Sequence, residues 1–139
     1  MAFAGMNYTA IVAAAVAGFL FGGAYYGLLS KQWMAAADLT PEDTAKTGMT
    51  VPLIISGIAL LVMAWVLAGI IGHLGPGRVT VRNGLISGAF CWLGFVVTTM
   101  AMNHAYQGAK RSLTLIDAGH FLGVLLIQGA VIGWFGVRG

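Results

Sequence analysis

The sequence predicts an all-α integral membrane protein, in which four transmembrane helices form an up-down bundle with a short surface helix between the first and second spans. Of the 139 residues, 59% are hydrophobic and only 8% are charged, and the mean hydropathy is +0.89. Charged residues are absent from four long intervals. Each interval can hold the roughly 20 apolar residues that cross a bilayer as a helix.

This composition excludes a soluble domain. Average globular domains carry about 25% charged residues, and a soluble chain of this size exposes most of its side chains to water. In lipid, the backbone must satisfy its own hydrogen bonds, which leaves helices or closed β-barrels. The short alternating segments of barrel strands are absent, so we predict helices in a single domain, residues 1–139.

The first span is predicted at residues 8–29, with its helix continuing beyond the membrane through Lys31 to about Ala37, because Lys, Gln, Met and Ala are good helix formers. Thr40-Pro41-Glu42-Asp43 then has the pattern of a helix start. Thr is a common N-cap, Pro fits the first turn, and acids are stabilised near the positive helix end. This pattern predicts the short surface helix, which Gly48 ends.

The other three spans are predicted at residues 51–71, 84–104 and 113–135. Pro52 lies in the first turn of the second span, and Gly75-Pro76-Gly77 is a strong turn signal before the third. Short connections imply antiparallel neighbours, so both chain ends lie on the same side of the membrane.

The numbers of Lys and Arg on the two sides are nearly equal, so the positive-inside rule leaves the orientation open. The side with both chain ends carries Arg78, Arg82 and Arg138. The other side carries Lys31, Lys46, Lys110 and Arg111. This difference of one residue favours a cytoplasmic position for the second side.

The charge balance also excludes nucleic acid as a partner, because the seven Lys and Arg residues form no basic run. The single cysteine, Cys91, lies in an apolar stretch and is interpreted as a packing residue. Phosphate-binding glycine motifs, nucleophile elbows and CxxC pairs are absent. We therefore predict a non-enzymatic protein without a cofactor, whose first partner is the lipid bilayer.

Small residues recur at four-residue spacing, a pattern that lets helices approach closely in lipid. The glycines predicted to pack helices are Gly18, Gly22, Gly84, Gly88, Gly129 and Gly133. Contact within the chain is one interpretation of these faces. The other is contact with further membrane proteins or with a second copy of the chain.

Polar residues inside a membrane are costly, so they are the candidates for function. Asp117 and His120 are three residues apart on one helix face, and Gln128 returns to nearly the same face three turns later. His104 and Asn103 end the third span on the same side of the membrane. The residues predicted to lie at the interface on that side are Tyr25, Tyr26, Lys31 and Trp33.

Three interpretations of this polar cluster stay open. In the first, Asp117 pairs with Lys110, Arg111 or His104 and only fixes helix packing. In the second, Asp117, His120 and His104 handle a proton or a cation in a small transporter or channel. In the third, the same three residues bind Zn or Fe, although they lack any diagnostic ligand spacing.

With the spans in place, the chain resembles, over nearly its whole length, the family catalogued as domain of unknown function 1761. The matching residues are Met6-Asn7, Tyr25-Tyr26, Lys31-Gln32-Trp33, Trp92-Leu93-Gly94-Phe95, Asn103, Leu115-Ile116-Asp117 and Gly119-His120. The family often has a tryptophan-tyrosine pair where this chain has Tyr25-Tyr26. The resemblance implies a small bacterial four-helix membrane protein and supplies no activity.

These observations favour an accessory subunit or assembly factor of a larger membrane complex, located in the bacterial cytoplasmic (inner) membrane. The chain offers little mass outside the bilayer, one polar cluster and several glycine faces suited to helix contact. The alternative is a small oligomeric transporter or channel with a proton or cation site at Asp117 and His120.

Overall fold

The computed structural model describes residues 6–137, which are helical apart from short connections and contain no strand. The helices are α1 (Tyr8–Leu28), α2 (Ser30–Ala37), α3 (Pro41–Thr47), α4 (Thr50–Gly72), α5 (Val81–Cys91), α6 (Val97–Gln107) and α7 (Arg111–Phe135). A π-helical turn, Trp92–Val96, joins α5 to α6. Arg138, one of the cations counted in the sequence, lies outside the described residues.

Four helices are long and apolar enough to cross a membrane, which confirms the predicted fold class. They are α1, α4, the continuous segment Val81–Gln107 and α7. The third is about one turn longer at each end than the sequence predicts. Its start is fixed by Thr80, whose hydroxyl oxygen accepts a hydrogen bond from the backbone N–H of Asn83 at 3.2 Å. The chain is therefore a multi-pass membrane protein.

Helix α7 is the centre of the bundle: α5 and α1 pack most extensively against it, and α4 packs mainly on α1. The start of α1 meets the end of α7, where the Asn7 amide donates to the Gly136 carbonyl at 3.4 Å. We call this end of the bundle, with the loop between α4 and α5, the terminal end. The opposite end, with α2, α3 and the connection from α6 to α7, is the loop end.

The sequence predicts that the first helix continues unbroken to about Ala37. In the structure this helix ends at Leu28, and a separate helix, α2, begins at Ser30. Asp38 then ends α2 in the left-handed region, with φ of 56°. Lys110 anchors this corner, because its ammonium group donates to the Asp38 carboxylate at 2.6 Å and to the Ala35 carbonyl at 3.0 Å. The loop end is thereby tied to the start of α7.

The π-helical turn interrupts the third span and leaves carbonyl groups without their usual helical partners. Two threonines one turn later compensate for this. Thr98 donates its hydroxyl to the Gly94 carbonyl at 2.9 Å, and Thr99 donates to the Phe95 carbonyl at 2.6 Å. Two carbonyls of this turn are therefore bonded within the helix, as lipid requires.

The hydrophobic core lies in the half of the bundle nearest the terminal end. It comprises Ile11, Ala14, Ala15, Ala64, Leu67, Ala68, Ile71, Leu125 and Ile132. Towards the loop end the packing is sparse: α6 has no buried residue, and residues 50–59 of α4 are all exposed. All four spans therefore pack together in one half of the bundle, whereas in the other half α4 and α6 are exposed; we call this the open half.

Candidate functional site

The polar face of α7 lies against α1, at the border between the packed and the open halves of the bundle. Asp117 is half-buried, His120 is 8% exposed and Gln128 is fully buried. Their spacing of three and eleven residues places all three on the inward side of the helix. The three side chains have different surroundings.

Asp117 accepts a hydrogen bond from the Tyr26 hydroxyl at 2.7 Å, across the interface between α7 and α1. One residue earlier on each helix, the Tyr25 hydroxyl donates to the Ile116 carbonyl, also at 2.7 Å. A glycine makes this approach possible, because a Cβ on Gly119 would lie 2.9 Å from the Tyr25 oxygen. Two tyrosines thus join α1 to the first two turns of α7.

In the first interpretation of the cluster, Asp117 pairs with Lys110, Arg111 or His104; the structure instead gives Lys110 and His104 other partners. Lys110 precedes the first residue of α7, and its ammonium group pairs with the Asp38 carboxylate instead. The His104 Nδ1 atom pairs with the Thr114 hydroxyl at 2.7 Å. A neutral phenol from the facing helix takes the place of a cation, because the glycines of this interface bring the tyrosine rings close to the carboxylate.

His120 lies among aromatic rings, with centroid distances of 4.7 Å to Tyr26, 5.7 Å to Tyr25 and 6.1 Å to Phe21, whose ring is parallel to the imidazole. Its Nε2 atom faces Gly22, where a Cβ would lie 2.9 Å away. Its Nδ1 atom is buried and has no hydrogen-bond partner among the described residues. A buried ring nitrogen in this state retains the capacity to accept or donate one more hydrogen bond.

Gln128 lies deeper, where α1, α4 and α7 meet. Its side-chain amide donates to the Leu60 carbonyl of α4 at 3.0 Å. Its other polar atom, Oε1, is buried without a partner in the part of the chain that the structure covers. Gly18 of α1 lies against it, since a Cβ there would be 3.3 Å from Nε2. Gln128 therefore holds α4 at the point where that helix begins to leave the bundle.

The structure does not gather all the predicted polar residues. Asn103 is exposed, and His104 bonds to Thr114 rather than joining Asp117 and His120. Across residues 6–137, no group of three or more His, Cys, Asp or Glu side chains is placed to hold a metal ion. The cluster of the structure is therefore Asp117 with Tyr26 and His120.

The residues predicted at the membrane interface separate into two kinds. Tyr25 and Tyr26 face α7, as described, and their rings are 5.3 Å apart. Trp33 is half-buried and meets the Tyr26 ring edge-on at 6.2 Å. Lys31 is exposed. The aromatic residues thus form the wall of the cluster towards the loop end.

The predicted packing glycines all lie at contacts inside the chain. A Cβ on Gly84 would overlap the Gly129 carbonyl oxygen, and one on Gly129 would overlap that of Gly84. Likewise, a Cβ on Gly133 would collide with the Thr80 carbonyl, and one on Gly88 would come within 2.5 Å of the Leu125 carbonyl oxygen. Gly18 and Gly22 accommodate Gln128 and His120. The first four glycines thus bring backbones together, the other two make room for side chains, and all six positions are occupied within the chain.

Sequence reasoning missed two contacts of α7. The Trp92 indole N–H, at the π-helical turn, donates to the Ala118 carbonyl at 2.8 Å. The Phe21 ring fills the space beside Gly123, where any Cβ would collide with it. Gly119 and Gly123 are four residues apart, so the spacing that identified the other packing glycines also applies to this pair.

Chemically, the cluster combines a carboxylate, a phenol and a buried imidazole on two helices. Such groups can lock two helices together, and they can also hold a proton. Towards the terminal end the cluster is closed, because Phe21 packs on Gly123 and Val124 is fully buried. The described residues thus show a site that joins α1 to α7.

A family model described as "Protein of unknown function (DUF1761)" matches residues 9–133, which is most of the chain. No curated protein and no solved structure matches the chain.

Proposed function

We propose that this protein, which belongs to the DUF1761 family, is a non-enzymatic accessory subunit or assembly factor of a larger complex in the bacterial cytoplasmic membrane. The observation that supports this role most is the open half of the bundle. A protein that worked alone as a four-helix bundle would gain from packing its helices along their whole length, because packing is what holds helices together in lipid.

The open half carries glycines at which an added Cβ would meet no atom of the described residues. Gly57 of α4 and Gly94 of the π-helical turn have no atoms within 4 Å of an added Cβ, and neither do Gly23 and Gly27 of α1. Gly23 and Gly27 are four residues apart, the spacing at which another helix can approach closely. Since the predicted packing glycines are occupied internally, these open glycines are the surfaces we assign to a partner.

The experiment is gentle extraction from the native membrane, followed by identification of what co-purifies. A photo-reactive residue at Phe95, which is 71% exposed in the open half, should form adducts with a membrane protein. Trp134 is the matched control, since it is 77% exposed but lies near the terminal end. We expect a defined adduct from position 95 and none from position 134.

Substitutions provide the second arm of this test. Gly57→Leu and Gly94→Leu should release the partner while the purified protein keeps its thermal stability, because both positions are open in the isolated chain. Purification of the protein by itself from gently solubilised membranes, with unchanged behaviour of both variants, would contradict the accessory role.

A small oligomeric transporter or channel is the second candidate, favoured by the buried Nδ1 atom of His120 beside Asp117. A buried imidazole with one free hydrogen-bonding position is suited to carrying a proton. The closed contact between Phe21 and Gly123 argues for the accessory role instead. Proton flux into liposomes that is lost in Asp117→Asn would overturn our first choice, whereas the accessory role requires that this variant affect stability alone.

We also propose that the protein binds no catalytic metal. Metal analysis of protein purified without chelators tests this, with Asp117→Asn as the comparison. A stoichiometric metal that is lost in the variant would support an enzyme.

A further inference from the structure

The terminal end of the bundle contains a cavity that none of the roles above uses. Its volume is about 730 Å³ and it is open on one side. The start of α1, the ends of α4 and α7 and the loop between α4 and α5 enclose it. Cavities of roughly 300–1,000 Å³ are the size of small-molecule sites, so this one can accept a ligand headgroup together with the start of an apolar chain.

The wall of the cavity is mostly apolar and carries a few polar side chains. Ala68 and Ile132 belong to the core and line the cavity on the bundle side. His73 and the turn Gly75-Pro76-Gly77 line it in the connection from α4 to α5, and Asn7 lines it at the start of α1. A ligand that fits this wall has an apolar part and a polar part, which is the chemistry of a lipid.

The rim has a fixed shape, because the loop is held by hydrogen bonds. The Arg78 backbone N–H donates to the Gly75 carbonyl at 3.1 Å, and the Asn83 side-chain amide donates to the Arg78 carbonyl at 2.8 Å. On the opposite wall, Asn7 holds the Gly136 carbonyl. The cavity is therefore a structured part of the fold rather than a gap between unconnected segments.

The charge around the cavity has one sign. Arg78 lies between two lining residues, Gly77 and Val79, and Arg82 lies in the first turn of α5. Both arginines are exposed. The four acidic residues of the chain all lie in the half nearest the loop end: Asp38, Glu42, Asp43 and Asp117. Neither arginine lines the cavity itself, but among the described residues they are the charged residues close to its lining in the sequence, and no Asp or Glu is.

We infer that this cavity binds the headgroup of an anionic phospholipid, with the phosphate at the Arg78 rim and the upper part of an acyl chain against Ala68 and Ile132. Arginine pairs well with phosphate oxygens, and basic residues near a bilayer surface attract anionic lipids. A free phosphate would satisfy the arginines and leave the apolar wall unused. The lipid is thus the source of phosphate to which the site is suited.

The test is lipid binding to the detergent-purified full chain, followed by native mass spectrometry. Phosphatidylglycerol and phosphatidylcholine with identical acyl chains are the two probes. We expect phosphatidylglycerol to bind at least about fivefold more tightly, and each of Arg78→Gln and Arg82→Gln to weaken it roughly fivefold. Lys31→Gln and Lys46→Gln make the same charge change at the loop end and should leave binding unaltered.

A variant of the wall separates the cavity from general surface charge. Val137 lines the cavity and is 53% exposed, so Val137→Trp should fill the space without a change of charge. We expect it to abolish preferential phosphatidylglycerol binding while thermal stability is kept. Equal binding of both lipids, equal losses in the lysine variants, or full binding by Val137→Trp would each overturn the inference. Displacement of the lipid by millimolar inorganic phosphate would overturn the choice of a lipid.

Discussion

At the scale of single residues, the Asp117 carboxylate in the fourth span is stabilised by a hydrogen bond from the phenol of Tyr26. An unpaired Asp in lipid is costly, and Tyr26 compensates through a hydrogen bond of 2.7 Å. The tyrosine also packs on His120 and Trp33, so one side chain joins the hydrogen bond to the aromatic wall. Its hydroxyl is therefore the group whose removal says most about the cluster.

Tyr26→Phe should lower the free energy of unfolding by about 0.6–1.7 kcal/mol, the range measured for hydrogen bonds between membrane helices. The aromatic ring stays, so packing is kept and only the bond to Asp117 is lost. Thermal unfolding in detergent measures the change. Tyr106→Phe is the control because Tyr106 is 90% exposed. The interpretation fails if both variants lose equal stability, or if Tyr26→Phe costs as much in an Asp117→Ala background.

At the scale of elements, the contact of α5 with α7 depends on backbone rather than on side chains. Gly84 and Gly129 face each other so closely that neither position has room for a Cβ. In lipid, where apolar side chains gain nothing by leaving the solvent, such close approach supplies the attraction between helices. The open glycines of the other half have no such partner, and this difference can be measured.

Gly84→Ala should destabilise the bundle by about 1–3 kcal/mol, because the added methyl group forces the two helices apart. Gly94→Ala, a matched change in the same span, meets no atom within 4 Å and should alter stability by no more than about 0.5 kcal/mol. Both are compared by thermal unfolding of the purified protein. Equal stability of the two variants would show that α5 and α7 do not pack as described.

The stability of helix α3 depends on pH, because its capping box contains the carboxyl group of Asp43. The backbone N–H of Thr40, and then its hydroxyl, donate to the Asp43 carboxylate, and these bonds lower the pKa of that carboxyl below its ordinary value. A lowered folded-state pKa means that the cap stabilises α3 above about pH 4 and is lost as the pH falls through the folded value. The carboxyl NMR shift of Asp43 should report this titration. Thr40→Ala removes only the hydroxyl bond and should raise the pKa of Asp43 partway to its ordinary value, and an unchanged pKa would refute the contribution of the hydroxyl.

At the scale of the whole molecule, the bundle is packed in one half and open in the other. The core lies towards the terminal end, while α6 and the first half of α4 contribute no buried residue towards the loop end before Leu60. Gln128 marks the border through its bond to Leu60. This unevenness is the observation on which we base the proposed accessory role, and the proposal requires four membrane crossings.

Four crossings place the two ends of the bundle on opposite sides of the membrane. In a Cys91→Ser background, Pro76→Cys and Lys46→Cys introduce exposed thiols at the terminal and loop ends. An impermeant maleimide should label one of them in sealed vesicles of uniform orientation, and the other in inverted vesicles. Labelling of both from the same side would contradict the four-span arrangement.

The sequence by itself determined the number of spans, their helical nature and most of their bounds. The physical reason is local: an apolar run without charges must cross lipid, and in lipid its backbone must bond within the run. The start of α3 is equally local, because Thr40 and Asp43 are neighbours on the chain. The stripe of Asp117, His120 and Gln128 also followed from helical spacing.

Only the tertiary structure decided which groups meet. That Asp117 bonds Tyr26 rather than a cation depends on how α1 crosses α7, and the crossing depends on close backbone approaches at several glycines at once. The same holds for which glycines are occupied and which are open, and for the cavity at the terminal end. The spacing of residues along a helix predicts which of them share a face. Which helix packs against that face depends on the whole bundle.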